Sequence, residues 1–184
     1  MNASPWDEFE QRLACEDSWR ADSEPLAWPV PEALALRLAE RNTAALASVA
    51  ALEERRSETA DDDNPVVQEL LRLDAKLNAL IDMVNRIALP AGTLPPRHTL
   101  RFNAIGAVVP AALVVAGDAL LLRLRFDACP GVPLELPARV VHHFDDGRAF
   151  VAFHALGDGV AASLERLVFR HHRRKVAGAR QGSP

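Results

Sequence analysis

Two stretches of the chain repeat their apolar residues at alternating spacings of four and three. The longer stretch, VVQELLRLDAKLNALIDMVNRI, covers residues 66–87. Its apolar stripe is Val66, Leu70, Leu73, Leu77, Leu80, Val84 and Ile87. Because a free α-helix has 3.6 residues per turn, a strict seven-residue repeat favours a helix wrapped against equivalent helices. The pattern predicts a helix roughly 40 Å long, at 1.5 Å per residue, that takes part in assembly.

The flanks of this stripe indicate how many helices meet. Val67 and Ile81 lie on one flank and Met83 on the other, where a two-stranded coil usually has charges. Glu69 and Asp74 would face each other as like charges in a parallel dimer. We therefore expect self-association as a homotetramer, with a dimer of helical hairpins as the alternative. The expected interface residues are Val66, Leu70, Leu73, Leu77, Leu80, Ile81, Val84 and Ile87.

An earlier helix is predicted from Glu32 to about Arg56, where Ala, Leu, Arg and Glu dominate. Its stripe is Leu38, Ala45, Val49 and Leu52, with Asn42 at one position. A lone polar residue in such a stripe can set the register or number of helices. We expect residues 32–90 to form the oligomerisation region, in which the long helix meets other subunits or this first helix folded back.

Residues 1–31 are expected to form an N-terminal arm. Most of this segment is polar and contains several prolines. Trp6, Trp19 and Trp28 are large apolar anchors, and we expect them to dock the arm onto the body of the protein.

After Pro96 the apolar period changes to two. The stretches RHTLRF, GAVVP, DALLLRLRF, LELPARVVHHF and RAFVAFHAL are separated by turns, which predicts an antiparallel barrel. A last helix begins near Asp158, with a stripe of Val160, Leu164, Leu167 and Val168 against the barrel. The fold class expected is α+β, with a barrel domain over residues 91–176 and a disordered tail over 177–184.

Composition places this chain among globular proteins with no membrane-spanning segment. Hydrophobic residues make up 49% and charged residues 25%, and no apolar run approaches the roughly 20 residues that span a bilayer. Cys15 and Cys129 lack a CxxC pattern, which favours reduced thiols in a cytoplasmic protein. Residues 1–63 contain fifteen acidic and six basic side chains, whereas the rest contains ten and fifteen.

The segments NAIGAVVPAALVVAGDALLLRLRF and PARVVHHFDDGRAFVAFHALGDGVAASLERLVFR resemble the PilZ domain family. The resemblance runs from about Arg97 to Arg174 and rests on Gly106, on AGD before a long strand, on ARVV, and on FVAFHAL before the last helix. It implies a barrel that commonly binds cyclic di-GMP and relays it to motility, pili or exopolysaccharide machinery. The ligand motifs it implies are RxxxR and (D/N)xSxxG, in which arginines stack on guanine and pair with phosphate.

The nucleotide motif is degenerate in this sequence. Arg101 stands where the acid or amide is expected and Asn103 where serine is expected, while Gly106 is retained. Arginine offers no acceptor for the N–H donors of guanine. The literal RxxxR from Arg97 to Arg101 overlaps the strand motif, so we interpret it as coincidental. We expect that cyclic di-GMP binding is lost.

Other chemistry finds little support in the sequence. His142 and His143 are neighbours on a predicted strand and point to opposite faces, so no metal site is expected. The basic FRHHRRKVAGAR segment fits a helix end, and the scarcity of aromatic residues argues against nucleic-acid binding. Neither Ser163 nor Cys15 has a base at a recognisable spacing. We expect neither an enzyme nor a cofactor.

The function expected is that of an oligomeric signalling adaptor. Clustered PilZ-like barrels would contact an unidentified protein partner in bacterial motility, type IV pilus or virulence regulation, and multivalency would strengthen weak contacts. The alternative is a cyclic di-GMP receptor with a non-standard site built between subunits. A small hydrolase or metal protein is the third class.

Overall fold

The computed structural model describes residues 4–55, 65–88, 93–115 and 117–181. The helices are α1 (Pro5–Gln11), α2 (Glu32–Arg55), α3 (Pro65–Ala88) and α4 (Asp158–Gln181), with a 3₁₀ turn at Ala111–Leu113. The strands are β1 (Cys15–Pro25), β2 (Arg97–Phe102), β3 (Gly106–Pro110), β4 (Ala119–Arg125), β5 (Leu134–His143) and β6 (Arg148–Phe153). These strands form a closed antiparallel barrel in the order β1-β2-β3-β6-β5-β4. The α+β class and the barrel with its C-terminal helix are confirmed.

Strand β1 lies in the segment that we expected to be an arm. It pairs with β2 from Cys15 to Arg20 and with β4 from Arg20 to Pro25, and so it closes the barrel. Only Cys15, Trp19 and Ala21 are buried along this polar strand, so its apolar alternation is too sparse to recognise. The barrel therefore begins at Cys15 and not near residue 91.

Strands β3 and β6 are buried on both faces. Val109 and Val151 point into the barrel core, where they meet the apolar side chains of the other strands and of the covering helices. Val108, Phe150 and Ala152 point outward into a second cluster closed by Phe9 of α1. Burial on both sides explains why GAVVP and RAFVAF are nearly continuous apolar runs.

Helix α2 packs on its own barrel. Leu38, Ala45 and Val49 are buried, and Leu46 and Val49 belong to the barrel core. The Asn42 side chain donates to the carbonyl oxygen of Glu135 on β5 at 2.7 Å and accepts from its N–H at 2.8 Å. Asn42 thus holds α2 on β5, and this contact replaces the register role expected for it in a helical bundle.

Helix α4 covers the barrel with the predicted stripe. Val160, Leu164, Leu167 and Val168 are all buried in the main core. The helix begins at Asp158 as predicted but continues to Gln181, so the expected disordered tail is helical over residues 177–181. Within the described ranges, no helix has the length and hydrophobicity needed to cross a membrane.

Candidate functional site

The apolar stripe of α3 faces solvent within this chain. The side chains of Val66, Leu70, Leu73, Leu77, Leu80, Val84 and Ile87 are 46% to 76% exposed. We call these seven residues the α3 seam. The side chain of Ile81, which we also expected at the interface, lies outside the described residues. A contiguous exposed apolar stripe is typical of an interaction surface, since each such side chain gains about 1.5–3 kcal/mol on burial.

The seam is broader than a two-helix interface requires. Met83 is exposed on one flank, and Leu71 adds further exposed apolar surface. Val67 on the other flank is half-buried. The seven-residue repeat gives α3 a continuous, slowly winding apolar face about 36 Å long, which suits contact with several helices wrapped together.

The degenerate nucleotide motif is covered by α1. Ser4 caps this short helix in a capping box with Asp7, and Pro5 begins it. Its Phe9 side chain is fully buried and packs against Phe150 in a tilted arrangement, with the ring centroids 5.0 Å apart. The helix is therefore fixed on the outer surface of β3 and β6.

Arg101 and Asn103 both bind α1. The Arg101 guanidinium pairs with the Glu10 carboxylate at 2.7 Å and lies over the Phe9 ring, 5.0 Å from its centroid. The Asn103 amide donates to the Phe9 carbonyl oxygen at 3.0 Å, and its oxygen accepts from the Ile105 N–H at 2.8 Å. Both side chains thus act in the attachment of the N-terminal helix.

Gly106 has a structural reason to be glycine. A Cβ atom there would collide with the carbonyl oxygen of Val151 and the ring of Phe150, because β3 and β6 approach closely at this point. The glycine on which the resemblance partly rests is therefore required by barrel packing. Arg97, the first arginine of the RxxxR match, pairs with Asp127 and donates to the Ser18 carbonyl oxygen.

A charged cluster that the sequence did not reveal joins α2 to α4. Glu53 is buried at 7% exposure and lies 3.1 Å from His171 Nε2, 3.2 Å from Arg174 Nη1 and 3.7 Å from Arg170 Nε. Burial raises the pKa of Glu53, but the His171 hydrogen bond and the charges of His171, Arg174 and Arg170 outweigh it and leave the pKa below its ordinary value. Only proximity in the fold identifies this cluster, since Glu53 lies 118 positions before His171.

The two cysteines and the histidines near the barrel make packing contacts and form no reactive or metal-binding arrangement among the described residues. Cys15 and Cys129 are buried free thiols, and burial raises the pKa of Cys15 to about 12. His142 packs against Phe144, and His154 packs against Trp28. Among the residues that the structure describes, no group of three His, Cys, Asp or Glu side chains is arranged to hold a metal ion.

With this geometry in place, the comparisons with known proteins decide the family. A family model described as an atypical PilZ domain, cyclic di-GMP receptor, matches residues 45–181, well over half of the chain. The chain belongs to the atypical PilZ domain family. The match includes α3, which the resemblance to the minimal PilZ domain did not cover. The comparison with curated proteins gave no match.

This atypical PilZ domain is similar to a solved structure over nearly its full length. That structure is a pathogenic protein from Xanthomonas campestris, described as a new tetrameric PilZ domain self-assembled through an unusual helical bundle. The TM-score is 0.69 and the sequence identity 27%, with 94% of this chain and 95% of the other chain covered. The helical region therefore has a counterpart in a solved PilZ protein.

Proposed function

We propose that this atypical PilZ domain is a non-enzymatic adaptor that assembles as a homotetramer through α3. Four barrels would then act together on a protein partner in bacterial motility, type IV pilus or virulence regulation. The single observation that supports this best is the α3 seam, seven apolar side chains at heptad spacing that this chain leaves exposed. The tetrameric Xanthomonas relative, built on a helical bundle, supports the same proposal.

We assign the oligomerisation role to α3 and not to the whole of residues 32–90. The apolar stripe of α2 already packs on the barrel, so that stripe is not available to a second partner. A bundle made from the α3 helices of several chains would bury the seam while leaving each barrel and its own α2 unchanged.

We also propose that the standard nucleotide motif does not bind cyclic di-GMP. Arg101 and Asn103 are already engaged by Glu10 and Phe9 of α1, so a nucleotide at this place would have to displace a helix with a buried phenylalanine. Loss of the buried Asn103–Phe9 hydrogen bond would cost about 1–3 kcal/mol. Changing Arg101→Asp and Asn103→Ser together should still not produce binding, because the buried Phe9 keeps α1 on β3 and β6 and the arginine motif before the strand is missing.

The mass of the protein in solution tests the assembly. We expect sedimentation equilibrium to give a tetramer for the unchanged chain and a much smaller species for Leu73→Asp/Leu80→Asp, since buried unpaired carboxylates are costly. Leu36→Asp is the matched control, because Leu36 is an exposed leucine on α2, outside the α3 seam. A monomeric unchanged chain at working concentrations would overturn the proposal.

The second candidate function is a cyclic di-GMP receptor with a non-standard site, as the description of the family model suggests. Calorimetric titration with cyclic di-GMP separates the two candidates. The adaptor proposal expects no saturable heat, whereas tight saturable binding would favour the receptor. Repeating the titration on the Leu73→Asp/Leu80→Asp protein would then tell whether such a site needs neighbouring subunits.

A further inference from the structure

A groove lies between α4, the link from α1 to β1, and the turn that follows β2. Its volume is about 820 Å³. Apolar side chains of Leu13, Ala104, Ala162 and Phe169 form much of its lining. Leu13 and Phe169 are 44% and 54% exposed, whereas Val168, which also lines the groove, is buried. We call this the α4 groove, and nothing in the proposed assembly through α3 uses it.

Cations dominate the polar lining of the α4 groove. Arg12, Arg166 and Arg170 contribute to it, against the single carboxylate of Glu165. Arg12 lies 2.7 Å from Glu165 and 2.7 Å from Glu8, so it is shared between two carboxylates. With three arginines against one carboxylate, the lining itself has a net positive charge.

These two arginines have incomplete partners within the described part of the chain. The Arg166 guanidinium donates to the Ser163 hydroxyl at 3.0 Å. The Arg170 Nε is buried without a hydrogen bond there, and the Glu53 carboxylate is 3.7 Å away. A carboxylate placed in the groove would give the Arg166 guanidinium an ionised acceptor beside the Ser163 hydroxyl, and it would also lie near the Arg170 guanidinium.

The apolar surface continues along α4 at helical spacing. Ala162, Phe169 and Val176 are seven residues apart, and Phe169 and Val176 are exposed. Arg173 lies over the Phe169 ring at 5.9 Å from its centroid and extends the basic edge. Apolar side chains two turns apart lie on one face of α4, where a second helix alongside can contact each of them in turn.

We propose that the α4 groove binds an acidic amphipathic helix of a partner protein. The helix would insert a large apolar side chain between Leu13 and Phe169 and set carboxylates against Arg166 and Arg170. This deepens the proposed adaptor function, on which it rests, by stating the chemistry of the partner. A protein helix fits better than a lipid surface because the anchors line a concavity, whereas a membrane surface is flat.

A displayed library of helical peptides with randomised surface positions tests the proposal on the full-length protein. We expect selection to enrich peptides with large apolar residues at heptad spacing and flanking Asp or Glu. The enriched peptides should bind at micromolar affinity by fluorescence anisotropy. Arg166→Glu/Arg170→Glu and, separately, Phe169→Ala should each weaken binding by about tenfold or more.

Matched controls exist on α2. Arg37→Glu and Leu36→Ala change an exposed arginine and an exposed leucine that do not line the groove, and both should leave peptide binding unchanged. Circular dichroism of each variant checks that the barrel is folded.

Four outcomes would overturn the proposal. These are no enrichment, enrichment of neutral or basic peptides, equal binding to the groove variants and controls, or an arginine-dependent affinity for phosphatidylglycerol vesicles without peptide binding. Solution mass and the cyclic di-GMP titration are separate measurements, so a failed peptide selection leaves the adaptor assembly standing. Conversely, a monomer that binds acidic peptides would refute the tetramer alone.

Discussion

Helices α2 and α3 have the same length and the same apolar spacing, yet only one of them is covered. Each has 24 residues, and the stripe of α2 at residues 38, 42, 45, 49 and 52 repeats the four-three pattern of the α3 seam. In α2 that stripe is buried on the barrel, whereas in α3 it faces solvent. A heptad stripe therefore identifies the face of a helix that needs a partner, but not whether the partner is the same chain or another one.

The difference between the two helices lies in the residues within the stripes. The α2 stripe includes small Ala45 and polar Asn42, and the Asn42 side chain makes two hydrogen bonds with the backbone of Glu135. The seam of α3 has only Val, Leu and Ile, which can pack against any similar surface. A helix face whose shape and hydrogen bonds fit one place in the fold packs within its own chain. A uniform apolar face is suited to packing against the equivalent helix of other copies.

Val49→Asp should have the largest effect, because Val49 is only 1% exposed in the barrel core. We expect a loss of at least about 4 kcal/mol in the free energy of unfolding, since the carboxylate has no partner there. The near-ultraviolet circular dichroism of the buried Trp19–Phe102 pair should collapse. The same change in the other helix, Leu77→Asp, should leave that signal intact and weaken assembly. If both variants unfolded the barrel, this would contradict the conclusion that α2 packs within the chain whereas α3 packs between chains.

Asn42→Ala should give the next largest effect. The change leaves both the N–H and the carbonyl oxygen of Glu135 without their side-chain partner in a buried place. We expect a loss of about 3 kcal/mol in urea-induced unfolding, with no change in subunit number. Thr43→Ala is the matched control, since Thr43 is exposed and bonds only to its own helix at Ala39. A change in subunit number would restore Asn42 to the role of a register residue in a bundle.

The sequence was sufficient for the elements with strong periodicity. The α3 seam and the α4 stripe repeat clearly, and the barrel strands from β2 onward alternate or are continuously apolar, so their type could be predicted. Strand β1 was missed because only three of its eleven residues are buried, and pairing with β2 and β4 decides its structure. Local pattern cannot report a strand whose stability comes from distant neighbours.

The candidate site was predictable to a similar degree. The replaced residues at Arg101 and Asn103 could be seen in the motif, and they predicted a changed role. That α1 would bind both of them could not be predicted, because the contacts join residues about 90 positions apart. The Glu53 cluster and the α4 groove could not be predicted from the sequence either, since each brings together side chains that are distant in sequence.

Glu53→Gln tests how α2 is held to α4 at the end far from Asn42. The lowered pKa means that the folded state favours ionised Glu53 more than the unfolded chain does. Its contribution to stability is thus complete above the ordinary glutamate pKa and is lost as the pH falls through the lowered value. We expect the variant to lose about 2 kcal/mol at neutral pH. Urea titrations should also show a smaller loss of stability on acidification than in the unchanged protein.

Glu40→Gln is the control for this experiment, because Glu40 is exposed on the same helix. If both variants kept the full acid dependence of the unchanged chain, Glu53 would not be the group responsible. A drop in stability at neutral pH with unchanged acid dependence would assign the effect to packing and not to ionisation.

Arg101→Ala should have the smallest effect, because the apolar face of α1, like that of α2, is already covered by the barrel. The ion pair with Glu10 is partly exposed and the stacking on Phe9 is a single contact, so we expect a loss of about 1 kcal/mol. Hydrogen exchange should become faster in α1 and stay unchanged in the barrel strands. Arg148→Ala, which removes an ion pair within one turn to Asp146, should not affect α1. If Arg101→Ala instead left α1 exchange unchanged, the arginine would be free for another role, and the argument that α1 occupies the nucleotide motif would rest on Asn103 and Phe9 alone.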